Sequence, residues 1–261
     1  MFTRTGDLQI LSAAYNTDTV TRLKSEWQSV VRDAGSFCQK DSCPFVVEGS
    51  FAYDPENFLY YRARAITADI PNGNGDLFPL KELEGSYSTF VGKGVYLNHD
   101  SDSPDKSFGL VLDSVLHKPK EKHAYVEVLA AIDKEIAEEK HPGIIRKLSN
   151  GFLNSTSMGC SCTNAECGIC HNMAYNTAQL CTHMHPDSLS YVKGKRQASG
   201  DAAYEINYGI TFTEDSIVSV PADNTARIFE LYASKKVITI EDIKNVIGEL
   251  SNLVNKIEHN K

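Results

Sequence analysis

The chain has 261 residues, 41% hydrophobic and 23% charged, enough for one sizeable core and unlike collagen or a disordered chain. With 26 basic against 34 acidic residues, a net charge of −8 and no basic run beyond Lys193-Gly-Lys195-Arg196, it lacks the positive surface of a protein that coats nucleic acid. No stretch reaches the roughly 18 consecutive apolar residues of a membrane span, and the start MFTRTGDLQILSAAYN has no apolar signal core, so a reducing cytoplasm is the expected compartment.

Residues 1–45 read as an N-terminal extension with one helical stretch, in which Val20, Leu23, Trp27, Val30 and Val31 recur at helical spacing. Cys38 and Cys43 close it and read as ordinary thiols, having no histidine nearby. From Phe45 to Ala68 the chain turns to aromatic and β-branched residues, a strand pattern that ends at the turn Asn72-Gly73-Asn74-Gly75-Asp76. Val91–His99 reads as a strand ending in Asn98-His99-Asp100, and Phe108–Leu116 and Ala124–Ile132 as two more. A helix is expected from Asp133 to Lys140, stopped by Pro142, with a further turn or two from Gly143 to Leu148. Gly151–Met158 is the strand or turn that carries a serine cluster, and Tyr204–Phe212 and Ser216–Val220 complete the strands. Many short strands and few helices predict a β-rich α+β fold, a closed β-barrel surrounded by helices, spanning about 46–235.

Residues 236–261 differ in kind. Ile240, Ile243, Ile247, Leu250, Val254 and Ile257 follow the a/d spacing of a coiled-coil seam, so this helix either joins copies into a homo-oligomer or packs on its own domain.

Five of the seven cysteines and three of the eight histidines lie between Cys160 and His185. Cys167-x-x-Cys170 supplies two thiolates from one turn, and Cys181-x-His183 completes a Cys3His set of the kind that holds a structural zinc. Cys160, Cys162, His171 and His185 compete for individual positions within this insert at about 160–190. Four protein ligands would close the coordination sphere, so the ion would stiffen the loop and not supply a catalytic water.

Immediately before this cluster stands Ser155-Thr156-Ser157-Met158-Gly159. A serine nucleophile requires a base and donors for the oxyanion; Gly159 lets backbone N–H groups approach a carbonyl, and Ser155 rivals Ser157 for the role. His99, where a strand meets a loop, is the candidate base, and Glu214 or Asp215 the acid that orients it. No Gly-x-Ser-x-Gly elbow occurs, so an α/β-hydrolase is not indicated, and no His-Glu-x-x-His helix occurs, so a catalytic zinc hydrolase would require one of the four ligands to be absent.

The order of these pieces is informative: Thr67-Ala-Asp-Ile-Pro-Asn-Gly-Asn-Gly-Asp76, Tyr96-Leu-Asn-His99-Asp100, Gly109-Leu-Val111, Ser155-Thr-Ser157-Met-Gly-Cys160 and Glu214-Asp-Ser-Ile-Val-Ser-Val-Pro221-Ala222. From about Ala63 to Ala226 it resembles the prohead (capsid maturation) serine proteases of tailed bacteriophages, some of which carry a Cys/His insert after the nucleophile. The resemblance implies the barrel of herpesvirus assemblins, with His99 as base, Ser157 as nucleophile, Glu214 as orienting acid and Gly159 beside the oxyanion donors. Asp215 departs from the hydrophobic residue commoner in the family, which leaves Glu214 and Asp215 both open as the acid. The implied setting is the procapsid interior in a bacterial cytoplasm, and the implied partners are scaffold and major capsid protein precursors and the chain itself. One branch cleaves after glutamate two residues beyond Ile or Leu; Ile247-Gly-Glu249 has that form, so self-removal of the tail is expected. A scaffold or structural protein that keeps the fold and zinc knuckle without cleaving is the alternative, and an interaction module without viral connection the third.

Overall fold

The run Phe-Leu-Tyr-Tyr-Arg-Ala-Arg-Ala-Ile-Thr places β-branched and aromatic residues along ten positions, Phe58–Thr67, and these form the strand (β3) on which the main sheet is laid. The computed structural model describes residues 2–3, 7–8, 56–185 and 202–232. The expected helix around Val20–Val31, the thiols Cys38 and Cys43 and the coiled-coil helix beyond residue 236 lie outside them. Near the start, Phe2–Thr3 (β1) pairs with Asp7–Leu8 (β2).

The main sheet has seven strands. Besides β3 they are Gly94–Leu97 (β5), Gly109–His117 (β6), Tyr125–Asp133 (β7), Ser155–Ser161 (β8), Thr211–Val218 (β12) and Ile228–Tyr232 (β13), in the order β13-β3-β7-β6-β5-β12-β8. Every pair is antiparallel except β12 with β5, which run parallel. A second, four-stranded sheet joins Met173–Ala174 (β10), Asn164–Cys167 (β9), Glu205–Tyr208 (β11) and Asp76–Leu77 (β4).

One face of the main sheet closes over an apolar interior that includes Leu59, Tyr61, Ala63, Val95, Val111, Val126, Val128, Ile132, Phe212 and Ile217, with Phe90 and Phe212 stacked 3.8 Å apart at their ring centres. Three short helices, Leu80–Ser86, Lys134–Lys140 and Ile144–Ser149, pack Leu83, Ala137, and Ile144 with Leu148, respectively, on this interior. The second begins where Asp133 accepts the Ile136 N–H at 3.0 Å, a cap worth about 1 kcal/mol. On the other face Arg62 binds Glu127 and Glu230, both at 2.7 Å, fastening β13 to β3 and β7.

The sheet curls strongly. Tyr61 of β3 reaches Asp215 of β12 across the interior, Ile228 N donates to Asn154 O at 2.7 Å, and Thr156 Oγ1 donates to Arg64 O at 3.3 Å. The hydrogen-bonded order nonetheless has two ends, β13 and β8, and no ladder joins them among the described residues. The expected closed barrel is therefore a curled half-barrel here, its free edges bridged by isolated bonds. The other differences from the sequence reading are local. The strand expected at Tyr204–Phe212 divides at Gly209, whose φ of 60° makes the turn, and β12 runs unbroken through Glu214 and Asp215 with a bulge between Phe212 and Glu214. The helix Leu80–Ser86 and β13 were not anticipated.

Candidate functional site

Because side chains alternate across a strand, the pairing of β8 with β12 sorts residues into two sets. Ser157 lies opposite Ser216 and Gly159 opposite Glu214 on one face, while Met158 lies opposite Asp215 and Thr156 opposite Ile217 on the core face. His99 joins the first set from β5. After Leu97 the chain turns through Asn98 and His99, both left-handed at φ 52° and 63°, and Asn98 N donates to Ile217 O at 2.9 Å. This conformation is uncommon for residues with a Cβ and is held by the bonds around it. It swings the imidazole back over β12, where Nδ1 meets Glu214 Oε1 at 2.7 Å, and Ser216 Oγ donates to Glu214 Oε2 at 3.0 Å.

Glu214 is 3% exposed. Burial opposes its ionisation, but the bonds from His99 and Ser216 outweigh burial and hold the carboxyl below its ordinary value. The bond to Glu214 raises the His99 imidazole above its ordinary value, against burial, with the charges of Glu214 and Asp215 adding to it. With Nδ1 engaged, Nε2 is the nitrogen left for proton transfer.

His99 and Ser157 line one cavity of about 270 Å³, with Met158, Asn72, Asn207 and Asp223 among its walls. No hydrogen bond joins the two side chains directly. Ser155 is engaged elsewhere: its hydroxyl accepts from Arg227 Nη1 at 2.8 Å and it does not line the cavity. Asp215 is likewise turned away, its Oδ2 accepting from the Tyr61 hydroxyl at 2.6 Å in the core. Of each pair that the sequence left open, Ser157 and Glu214 thus face His99's side of the sheet, whereas Ser155 and Asp215 are bound by other partners.

Gly159 also makes room for the acid, a part not read in the sequence. A Cβ built on it would lie 2.5 Å from Glu214 Cγ and 2.7 Å from Glu214 Oε1, so the bare glycine is the space that the carboxylate occupies. The sequence signal was present, a glycine two residues after a serine, but only strand register shows which side chain needs the room.

The second cluster sits at the edge of the smaller sheet. Cys167 Sγ, Cys170 Sγ, Cys181 Sγ and a ring nitrogen of His183 all lie within 4.8 Å of one another. His183 Nδ1 is 3.6 Å from Cys167 Sγ and 3.8 Å from Cys181 Sγ. A tetrahedral ion with sulfur at about 2.3 Å and nitrogen at about 2.1 Å sets its ligands about 3.6 Å apart, so the four residues fit a metal. The competitors are placed elsewhere. Cys160 and Cys162 face each other at 4.0 Å and line the cavity, His171 Nδ1 pairs with Glu166 at 2.7 Å, and His185 is outside the cluster. Beneath the cluster Cys167, Met184 and Ala203 form a small apolar core of their own. Gly168, inside the Cys-x-x-Cys turn, lies against the Tyr204 ring, which an added Cβ would strike at 2.3 Å.

No family model and no curated protein matches the chain. Among solved structures it is similar to the bacteriophage T4 capsid assembly protease gp21, with 12% sequence identity and a TM-score of 0.35 over 61% of this chain and 80% of that one. A likeness that distant assigns no role to any residue. Among the described residues no helix is long and apolar enough to cross a membrane.

Proposed function

We propose that the chain is a serine endopeptidase of the prohead maturation type, which cleaves scaffold and capsid-protein precursors. The observation that carries the reading is the 2.7 Å bond from a buried Glu214 to His99, which lines the same cavity as Ser157. The motif order around His99, Ser157 and Glu214 supports the substrate class.

In this mechanism Glu214 fixes the imidazole by accepting at Nδ1, and Nε2 takes the proton as Ser157 Oγ attacks a peptide carbonyl. The imidazolium that forms is stabilised by Glu214 and returns the proton to the leaving amine. Water then attacks the acyl-enzyme with His99 again as base, releasing the acid and restoring Ser157. In the substrate-free site His99 and Ser157 need only share the cavity, since such bonds commonly tighten when substrate binds. The Cys167, Cys170, Cys181 and His183 set is proposed to hold a structural zinc that fixes the loop following β8 and takes no part in the chemistry.

Incubating wild type and Ser157→Ala with scaffold or capsid precursor tests the reading. Wild type should process the precursor and the variant should not. Equal processing by both removes Ser157 from the mechanism, and none by either favours the non-cleaving structural alternative.

A further inference from the structure

One buried acid is not used by this mechanism. Asp215 is fully buried on the core face of β12, the side opposite Glu214. Its Oδ2 accepts from the equally buried Tyr61 hydroxyl at 2.6 Å, and its Oδ1 has no partner. A core carboxyl with half its acceptor capacity unmet is costly to keep, and an apolar residue would pack there more cheaply. The groups that face it are few. β3 supplies Tyr61, β12 itself supplies Glu214 and, beyond it, His99 on the turn after β5; β5 and β8 bring Val95 and Met158 alongside, which carry no charge. Tyr96 of β5 is coupled to Glu214 from the same side as His99.

We propose that Asp215 and Tyr61 are positioning residues for the Ser157–His99–Glu214 site, a buried, hydrogen-bonded carboxyl and phenol pair that places a second anion on the core side of β12, behind Glu214. The inference deepens the peptidase reading and rests on it. Burial pushes the Asp215 carboxyl up to about 7, opposed by the Tyr61 bond, with Glu214 raising it further and His99 lowering it. The Tyr61 phenol is held well above its ordinary value by burial and by Asp215, so it remains a donor. Asp215 therefore gains its charge over the pH range in which His99 must be able to accept a proton. A second anion one strand-thickness away then favours the imidazolium formed during acyl transfer. Tyr61 contributes by stabilising the ionised carboxyl, and it also ties β3 to β12 behind the site.

Two full-length variants test this. Asp215→Asn removes the charge and keeps the shape; Tyr61→Phe removes the donor and keeps the ring. The His99 ring protons are followed by NMR across pH, together with the pH profile of kcat/KM on a capsid-precursor peptide. Each folded variant should titrate His99 at lower pH than wild type, by roughly half a unit or more, and lose about tenfold in kcat/KM. The double variant should be no worse than Asp215→Asn, because the two residues act as one unit. If Asp215→Asn does not fold, Tyr61→Phe decides alone. A folded variant whose His99 titration does not move overturns the proposal, even where its melting temperature falls. The NMR readout requires no turnover, so a shifted His99 in a chain whose Ser157→Ala variant still cleaves would sink the peptidase mechanism and leave the coupling standing.

Discussion

Gly159 offers the sharpest test of how the site is built. Alanine there would place a Cβ 2.5 Å from Glu214 Cγ and 2.7 Å from Oε1, where ordinary contacts begin near 3.4 Å. Neither strand can give easily, since Glu214 and Gly159 are directly paired in the β12–β8 ladder and β12 is flanked by β5 on its other side. The Glu214 carboxylate must retreat by roughly 1 Å, which takes its 2.7 Å bond to His99 beyond hydrogen-bond range. Overpacking of this kind costs about 1–3 kcal/mol of stability. Loss of the orienting carboxylate in a serine triad lowers kcat by up to about 10⁴-fold, so a decline of roughly 10²- to 10⁴-fold in kcat/KM is expected for Gly159→Ala. The assay is peptidase kinetics on a precursor peptide, with circular dichroism and thermal melting to establish folding. Glu214→Gln, which has no steric conflict, provides the comparison, and the double variant should show strong non-additivity. A Gly159→Ala enzyme with wild-type kcat/KM and an unchanged His99 titration would refute the argument that the glycine exists for Glu214.

Two further outcomes follow from the same geometry. Removing metal with a chelator, or replacing Cys181 with serine, should abolish binding of about one zinc per chain and expose β9 and β10 to proteolysis and hydrogen exchange, while the β3–β7–β6 ladder keeps its protection; a chain that holds no metal after gentle purification argues against the knuckle. The His99–Glu214 pair should also give a pH-dependent stability with two limbs. Glu214, held below its ordinary 4.5, contributes above that value and loses its contribution as pH falls through its folded value; His99, raised above 6.5, contributes below 6.5 and loses its contribution as pH rises through its folded value. Melting temperatures measured across pH should show the pair's gain greatest between the two ordinary values, and Glu214→Gln should flatten both limbs.

Much of the frame was legible along the chain. Runs such as Phe58–Thr67, Gly109–His117 and Tyr125–Asp133 carry their β character in composition, and the Cys167, Cys170, Cys181 and His183 spacing needs only a turn and a short return loop to converge. His99 was readable as a candidate base where a strand meets a loop, and Ser157 as a candidate nucleophile from the serine cluster and its following glycine, although Ser157 lies within β8 and is buried. The local signals failed where a strand contradicts its own propensity. Glu214-Asp215 looked like a boundary, since two acids rarely sit in the middle of a sheet, yet β12 lies between β5 and β8 and buries both, one on His99 and the other on Tyr61.

Sequence by itself thus determined the strand-rich class, the Cys/His cluster that could hold a metal and a short roster of candidate nucleophile, base and acids, all of which depend on residue type and near spacing. Tertiary structure alone brought Glu214 to His99 and Ser157 to the cavity that His99 lines, gave Ser155 and Asp215 other partners, put Gly159 under a carboxylate, and left the sheet open between β8 and β13 among the described residues. For the two acids the reason is register: moving β12 by one residue would exchange Glu214 and Asp215 between its faces, and that register is set by pairing with the distant β5, where Glu214 lies opposite Gly94; the two serines share a face of β8 and differ only in the tertiary partners each one meets.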